Sequence, residues 1–444
     1  MAIIVGNPSV EGKGFIAYSL MHEKKMKMKI RIMALRHLLM FSIALNVGLL
    51  FNMYPNALAI FDFNNTSLKL PFYSAPKALD QVIDLDHGDP MVYEKYWRQM
   101  GDKTTVVIPG WKFVSYFSNK KSLCWFLEPE FAYAVDRLHK LVGNADTEDH
   151  YLVVGTGSTQ LFQAVLYAAS PPNQTEPISV VASPPFYSSY RLITEYLKSG
   201  LYEWAGNANE FKKDKPYVEI VTSPNNPDGL SREAVVNRKG GIVVHDLAYY
   251  WPQYTPITSA ADHDIMLFTV SKCTGHAGTR LGWALVKDEE IAKKMTEFIM
   301  LSTIGVSKES QIRGAKILQV IADSHEKRDK FKKIEPFFEH SYKFMAMRWN
   351  DLEDVVDQNK LFTLPNFAPA RKCNFSGHIF APQPAFAWLK CEGEVEDCEG
   401  FLRNHKILTR GGTQFGSSAK YVRASVLSRD DVFDQFTERL SSIN

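Results

Sequence analysis

From about residue 131, short apolar runs alternate with stretches of helical periodicity. Residues 151–154 (YLVV) are strand-like, and after a Gly-Thr-Gly turn the apolar residues of 158–169 recur at helical spacing. Nearly continuous apolar strands that alternate with helices are typical of a mainly parallel sheet covered on both faces. The pattern predicts an α/β fold, whose further strands are 178–182, 218–222, 242–245, 265–270 and 282–286.

The carboxyl-terminal part has a different pattern. Residues 289–350 predict long helices rich in Lys and Glu, and 384–444 contain two strands, 385–389 and 421–427, before a terminal helix. This arrangement is typical of a separate, smaller α+β domain. We expect the body of the chain to divide into an amino-terminal arm with part of the small domain (84–130), a large domain (131–330) and a carboxyl-terminal small domain (331–444).

The amino terminus differs in composition from the body. A basic block at 22–31 precedes a mostly apolar run at 38–59, whose length fits one membrane crossing. Positive charge before such a run predicts a cytoplasmic amino terminus. A cleaved signal peptide and a buried core helix are the alternatives. We expect a single-pass membrane protein of the endoplasmic reticulum or secretory pathway, with a cytoplasmic basic tail (1–31), a signal-anchor transmembrane helix (32–54) and a linker (55–83).

Composition narrows the class of protein. The 444 residues are 45% hydrophobic and 23% charged, which excludes a disordered or collagen-like chain. The formal net charge of +2 gives no electrostatic reason to expect nucleic-acid binding. The five cysteines lie far apart, without a CxxC motif or a histidine pair at zinc spacing, so we expect no metal site. Cys391 and Cys398 are one candidate disulfide.

Polar residues follow the predicted strands at the ends where ligands bind to such sheets. Ser271 and Lys272 come directly after the strand 265–270, and Arg280 follows in a glycine-rich stretch. A lysine and an arginine around such a turn suit a phosphorylated ligand, to which Thr269 and Ser271 also offer hydroxyls. A solvated loop lysine is the alternative.

Three more polar residues follow neighbouring strands. Asp246 comes after the strand 242–245, where a buried carboxylate needs a cation or a donor, and Tyr249 lies three residues later. Asn226 lies in the turn SPNNPDG that follows 218–222. The alternative for Asp246 is that it caps the start of a helix beside core aromatic residues, and the alternative for Asn226 is that it lies in a plain turn.

The segment 155–160 (GTGSTQ) joins a strand to a helix, where backbone amides and hydroxyls form an anion site. It is not the dinucleotide fingerprint, because Gln160 occupies the third glycine position. The predicted strand ends thus offer an anion site, an amine, an acid and hydrogen-bond donors. One cofactor would use all of these groups. The sequence therefore predicts pyridoxal 5′-phosphate.

These motifs resemble those of the fold-type-I pyridoxal-phosphate transferases, and more narrowly the plant family of tryptophan aminotransferase-related proteins and alliin lyases. The resemblance implies that 131–330 is the large cofactor-binding domain. Alliin lyases carry a Cys-rich, EGF-like module that is absent here, because 55–83 contain no cysteine, and this departure favours the aminotransferase branch. The resemblance rests on LDHGDPMVYEKYW, VIPGWKFVSYFSN, LVVGTGSTQLFQAV, TSPNNPDG, VVHDLAYYWPQYTPIT and FTVSKCTGHAGTRLGWALV.

The resemblance also implies a role for each site residue. Lys272 would be the catalytic lysine that holds the cofactor covalently and moves the proton, and Asp246 would pair with the ring nitrogen. Arg423 would bind the substrate carboxylate. The other cofactor-binding residues would be Asn226 and Tyr249 at the ring oxygen, Tyr187 stacked on the ring, Ser158, Thr159, Thr269, Ser271 and Arg280 at the phosphate, and Tyr116 from the partner subunit of a homodimer.

The implied activity is that of an L-amino-acid aminotransferase that converts L-tryptophan to indole-3-pyruvate, with a 2-oxo acid such as pyruvate as acceptor. With tryptophan, this reaction is the first committed step toward auxin. The nearest alternative is an alliinase-like carbon–sulfur lyase acting on S-alkylcysteine sulfoxides, which would use the same residues. An inactive binding protein is a third alternative, against which the intact Lys272, Asp246 and Asn226 argue.

Overall fold

The structure, a computed structural model, describes residues 81–443 apart from 172, 237, 328–330 and 332–333. The predicted cytoplasmic tail, the predicted transmembrane helix and most of the predicted linker lie outside these residues. In the part of the chain that is described, no helix combines the length and the apolar character needed to cross a membrane.

The elements follow one another in chain order. The strands are β1 (Ile83–Asp84), β2 (Tyr151–Gly155), β3 (Ile178–Ala182), β4 (Tyr202–Asn207), β5 (Tyr217–Thr222), β6 (Gly241–Asp246), β7 (Ile265–Thr269), β8 (Gly282–Val286), β9 (Phe362–Thr363), β10 (Arg371–Lys372), β11 (Ile379–Phe380), β12 (Phe386–Cys391), β13 (Ile407–Leu408), β14 (Arg410–Gly411) and β15 (Tyr421–Ser425). The α-helices are α1 (Glu94–Met100), α2 (Pro129–Val142), α3 (Gly157–Ala169), α4 (Ser189–Tyr196), α5 (Val270–Cys273), α6 (Glu289–Thr303), α7 (Lys308–Glu326), α8 (Phe337–Asn359), α9 (Cys398–Asn404) and α10 (Asp430–Ser441).

The large sheet contains seven strands within the described residues, in the order β2-β8-β7-β6-β5-β3-β4. β8 is antiparallel to both of its neighbours, and the other pairs are parallel. The prediction of a mainly parallel sheet is confirmed, and each predicted strand is present. The apolar pattern does not predict β4, because this edge strand buries only Tyr202 and carries a weak apolar signal.

Helices pack against this sheet through apolar stripes. α2 buries Phe131, Val135, Leu138 and Val142, which recur every three or four residues and therefore share one face. The helix ends at Gly143, whose φ of 69° is unfavourable for residues that have a Cβ. The sequence thus sets both the buried face and the end of this helix.

The small sheet has the order β14-β15-β12-β9, with antiparallel neighbours, and contains both strands predicted for the carboxyl-terminal domain. β1 pairs in parallel with β13, so the start of the described chain contacts the carboxyl-terminal part of the fold. A disulfide joins Cys391 at the end of β12 to Cys398 at the start of α9, which confirms the candidate pair.

Candidate active site

One cavity of about 190 Å³ lies at the carboxyl ends of β5, β6 and β7. Every predicted cofactor-binding residue except Tyr116 lines it, although these residues come from separate segments of the chain. The sheet topology explains this convergence, since parallel neighbouring strands end at the same edge. The predicted residues in the lining are Ser158, Thr159, Tyr187, Asn226, Asp246, Tyr249, Thr269, Ser271, Lys272 and Arg280.

Lys272 lies in α5, directly after β7, and its Nζ donates a hydrogen bond to the carbonyl oxygen of Gly88. The carbonyl of Lys272 accepts from the Tyr254 hydroxyl at 3.1 Å and from Nε2 of Gln253 at 3.3 Å, which fixes the local backbone. Burial, together with the positive charge of Arg423, lowers the pKa of the Lys272 amine to about 8. At pH 7 roughly a tenth of this amine is therefore neutral and nucleophilic, far more than for an ordinary lysine.

Asp246 is the last residue of β6, and its side chain is buried. Its Oδ2 accepts from the Tyr190 hydroxyl at 2.7 Å, and its Oδ1 accepts from the Ala248 N–H at 3.1 Å. Burial raises the pKa of the Asp246 carboxyl, and these two hydrogen bonds oppose that effect. A carboxylate held in this way favours a cationic partner such as a protonated ring nitrogen.

The start of α3 and the turn after β7 form an anion cup. Gly157 has a φ of 74°, and a Cβ there would lie 2.7 Å from Nη2 of Arg280, so glycine permits the guanidinium to cover the start of the helix. Thr269 Oγ1 accepts from the Ser271 N–H at 3.2 Å. Ser158 offers a hydroxyl and a helix-terminal N–H. Backbone donors, hydroxyls and a guanidinium together match the oxygens of a phosphate.

The donors around this cavity fit pyridoxal 5′-phosphate. The anion cup suits the phosphate, Asp246 suits the ring nitrogen, and Lys272 supplies the amine. Asn226 Nδ2 and the Tyr249 hydroxyl lie 3.4 Å apart in the lining of the cavity, and together they would offer donors to a ring oxygen. Burial raises the pKa of the Tyr249 phenol, which therefore remains a hydrogen-bond donor.

Arg423 does not line the cavity but contacts its wall. Its Nη1 donates to Oδ1 of Asn226 at 3.1 Å, and its Nη2 donates to the Asp86 carbonyl at 2.6 Å. The guanidinium lies 4.1 Å from the Phe386 ring centroid, and its Nε has no hydrogen-bond partner among the described residues. Burial lowers the pKa of Arg423 to about 10, so this residue remains a cation at neutral pH.

Tyr116 is not brought to the cavity of its own chain. Its side chain is 68% exposed, in an irregular segment that also exposes Val107, Trp111 and Val114. The role predicted for Tyr116 in a partner subunit stays a prediction.

The sequence indicates no role for several site residues, although Asp86 and Gly88 lie within the family motif LDHGDPMVYEKYW. Tyr190, Asp86 and Arg410 reach the site only through tertiary contacts, and the Gly88 carbonyl is a backbone group of an irregular arm. Thr222 is the exception, since it ends β5 and lies directly before the turn that contains Asn226. Inspection of strand ends alone would have found it.

A mainly parallel sheet that brings a lysine of lowered pKa, a buried aspartate and an anion cup into one cavity defines a pyridoxal-phosphate-dependent enzyme of the aminotransferase fold. The profile of the family described as Allinase matches residues 83–444. The chain belongs to this family.

Known proteins resemble the chain over most of its length. Tryptophan aminotransferase-related protein 2 of Arabidopsis thaliana is 57% identical over 364 residues, which cover 82% of this chain and 82% of that protein. Alliin lyase 1 of Allium sativum is 37% identical over 376 residues, which cover 82% of this chain and 76% of that protein. An aminotransferase structure from Staphylococcus aureus has a TM-score of 0.57 at 19% identity, covers 81% of this chain and 93% of that chain, and shows the fold.

Proposed function

We propose that the protein is an L-amino-acid aminotransferase that converts L-tryptophan to indole-3-pyruvate with pyruvate as amino acceptor. The observation that carries the proposal is the 57% identity to a tryptophan aminotransferase-related protein, against 37% to an alliin lyase over a similar share of the chain. With tryptophan as substrate, the enzyme would catalyse a step of auxin biosynthesis.

The site residues account for the chemistry that this reaction needs. The bound cofactor supplies an electron sink for the electrons of the substrate Cα–H bond. Arg423 binds the substrate carboxylate and so orients that bond. Lys272 Nζ removes the Cα proton and later returns one, which requires the neutral amine that its lowered pKa provides. Asp246 holds a proton on the ring nitrogen through its charge.

A carbon–sulfur lyase acting on S-alkylcysteine sulfoxides is the second candidate. The 37% identity to alliin lyase 1 favours it, and removal of the same proton by Lys272 would begin that reaction. The two activities differ in what leaves the substrate, which no residue of the described site decides.

An assay of product identity tests the proposal. Purified holoenzyme is incubated with L-tryptophan and pyruvate, or with an S-alkylcysteine sulfoxide alone, and Lys272→Ala protein is the matched control. We expect indole-3-pyruvate and alanine in equal amounts from the first mixture. Formation of pyruvate and ammonia from the sulfoxide, without indole-3-pyruvate from tryptophan, would overturn the proposal in favour of the lyase.

The proposal has two further parts. The apolar segment 32–54 would anchor the protein in the endoplasmic reticulum or another membrane of the secretory pathway, which the basic block at 22–31 supports. Two copies would form a homodimer in which Tyr116 reaches the phosphate of the partner's cofactor. The exposure of Tyr116 and of the apolar residues around it supports this assembly.

A further inference from the structure

Two arginines of the small sheet lie side by side next to the cavity. Arg410 of β14 is directly opposite Arg423 of β15 in the antiparallel register. Residues that face each other in such a pair project from the same side of the sheet, and two like charges there are unfavourable. The chain thus places a second guanidinium beside the one proposed to bind the substrate carboxylate.

Asp86 of the amino-terminal arm contacts both arginines. Its carboxylate accepts from Arg410 Nε at 2.6 Å and from Arg410 Nη2 at 3.1 Å, and its carbonyl accepts from Arg423 Nη2 at 2.6 Å. Burial would raise the pKa of the Asp86 carboxyl, but the hydrogen bonds and charge of Arg410 outweigh it, and the pKa is lowered. Asp86 is therefore ionised at neutral pH and forms its ion pair with Arg410. Arg423 donates instead to two neutral oxygens, the Asp86 carbonyl and the Asn226 amide, and feels the Asp86 charge without a direct ion pair.

Arg410 also makes a third hydrogen bond. Its Nη1 donates to Ser188 Oγ at 3.3 Å, and Ser188 follows the cavity residue Tyr187 directly. The bidentate geometry with Asp86 is the strong form of an arginine–carboxylate pair. Both side chains are partly buried, at 19% and 29% exposure, so water screens the pair incompletely.

We infer that Asp86 is a specificity-determining residue that restricts the enzyme to substrates with one carboxylate. The inference rests on the proposed function in one respect, namely that Arg423 binds the carboxylate of an amino acid or 2-oxo acid. A substrate with a second carboxylate needs a second cation. Arg410 lies beside Arg423 and contacts Ser188 next to the cavity residue Tyr187, but its charge is paired with Asp86. The carboxylate of Asp86 also repels such a substrate. A substrate with a neutral side chain needs no second cation and is not repelled by Asp86.

A different role for the same ion pair is to anchor the arm, since β1 pairs with β13 just before Asp86. The two roles have different consequences. If the ion pair only anchors the arm, its loss lowers the affinity for every substrate to the same extent. If it determines specificity, its loss changes the ratio between substrates with two carboxylates and substrates with one.

The experiment compares ligands that differ by one carboxylate. Binding of succinate and of butyrate to the holoenzyme is measured through the visible absorbance of the bound cofactor, and kcat/KM is measured for 2-oxoglutarate and 2-oxopentanoate. Wild-type enzyme should prefer the monocarboxylate in both pairs by at least tenfold. In Asp86→Asn, which keeps the shape of the side chain and removes its charge, the preference should shift toward the dicarboxylate by at least tenfold.

Two control variants accompany Asp86→Asn. Glu392→Gln removes a carboxylate that pairs with Lys390 on the same small sheet, away from the cavity, and should leave the ratio unchanged. The double variant Asp86→Asn/Arg410→Gln should not show the shift in preference toward the dicarboxylate, because it lacks the Arg410 cation that is unpaired in Asp86→Asn.

The inference would be overturned if Asp86→Asn lost affinity and kcat/KM equally for the dicarboxylate and the monocarboxylate of each ligand pair. So would a wild-type enzyme that binds succinate as tightly as butyrate, a test that needs no variant to fold. The binding measurement needs no turnover. If the ratio shifts while wild-type protein transfers no amino group from tryptophan, the proposed function fails and the inference about Asp86 stands.

Discussion

Tyr190 donates its phenolic hydrogen to Oδ2 of Asp246 over 2.7 Å, and its oxygen lies 2.6 Å from Thr222 Oγ1. An ionised carboxylate accepts hydrogen bonds only, so the phenol must donate to Asp246 and the Thr222 hydroxyl must donate to the phenol. Two hydroxyls in series thus stabilise the charge of a carboxylate that burial disfavours.

Replacing Tyr190 by Phe should weaken this support while the ring still fills its space. Hydrogen bonds to charged groups contribute about 1.5–3 kcal/mol, so we expect kcat to fall roughly 10- to 100-fold. The affinity of the apoenzyme for pyridoxal phosphate, measured by fluorescence quenching, should fall as well. The kcat of Asp246→Asn should be lower than that of Tyr190→Phe, because the amide carries no charge.

The control for Tyr190→Phe is Tyr133→Phe, which alters an exposed tyrosine of α2. Unchanged kcat and cofactor affinity in Tyr190→Phe would show that Asp246 needs no help from the phenol.

The lowered pKa of Lys272 predicts how the apoenzyme captures its cofactor. Only the neutral amine attacks the cofactor aldehyde, so the rate of reconstitution should rise with pH and level off above about 8. An ordinary lysine, with a pKa near 10.4, would give a rate that still rises at pH 10. Stopped-flow absorbance between pH 6 and 10 measures this profile.

Lys272→Ala should lose covalent attachment altogether. After borohydride reduction of the wild-type holoenzyme, peptide mapping should find the label on Lys272. A label on any other lysine would refute the assignment.

Acid should destabilise the fold through buried histidines that are held neutral. Burial lowers the pKa of His139 to about 4, below the usual value near 6.5. Because this folded-state pKa is depressed, the unfolded state binds the extra proton first, and stability present above pH 6.5 declines as pH falls toward 4. The loss from this residue is about 1.4 kcal/mol for each pH unit in that window.

Urea unfolding at pH 7 and pH 5 measures this effect. His139→Gln should be less stable at pH 7, because it disturbs the contacts with Asn144 and Trp283, but its free energy of unfolding should depend less on pH. Equal pH dependence in both proteins would remove His139 from this explanation.

The shared-site dimer predicts complementation between two impaired variants. Tyr116→Phe chains and Lys272→Ala chains are mixed under conditions that exchange subunits. In a heterodimer one site carries both changes and the other carries neither, so activity should rise above that of the separate parents. Mixed dimers that form without such recovery would place the action of Tyr116 within its own subunit.

The membrane anchor predicts different fractionation for two forms of the protein. The full-length chain should sediment with membranes and resist carbonate extraction, because the anchor proposed at 32–54 would span the bilayer. A form lacking residues 1–59 should be soluble and active, since the proposed catalytic residues all lie beyond it. Uncleaved full-length protein in the soluble fraction would refute the anchor.

The sequence by itself determined the elements that depend on local patterns. Apolar runs bounded by glycine, proline or aspartate located every strand of the large sheet except β4. Lys272 and Asp246 could be selected as site residues because they follow or end such strands, where ligands bind. Their convergence in one cavity was predictable, since parallel strands end at a common edge. Such signals lie within a few residues of the feature that they specify.

Only the tertiary structure decided the partners that come from distant segments. Arg423 meets Asn226 across 197 positions, and Arg410 meets Asp86 across 324. Tyr190 reaches Asp246 from the buried face of α4, where the sequence shows only an aromatic residue between Ser189 and Arg191. The physical reason is that secondary structure follows from short-range periodicity, whereas the pairing of polar groups depends on how completed elements pack and on which buried donors then need acceptors.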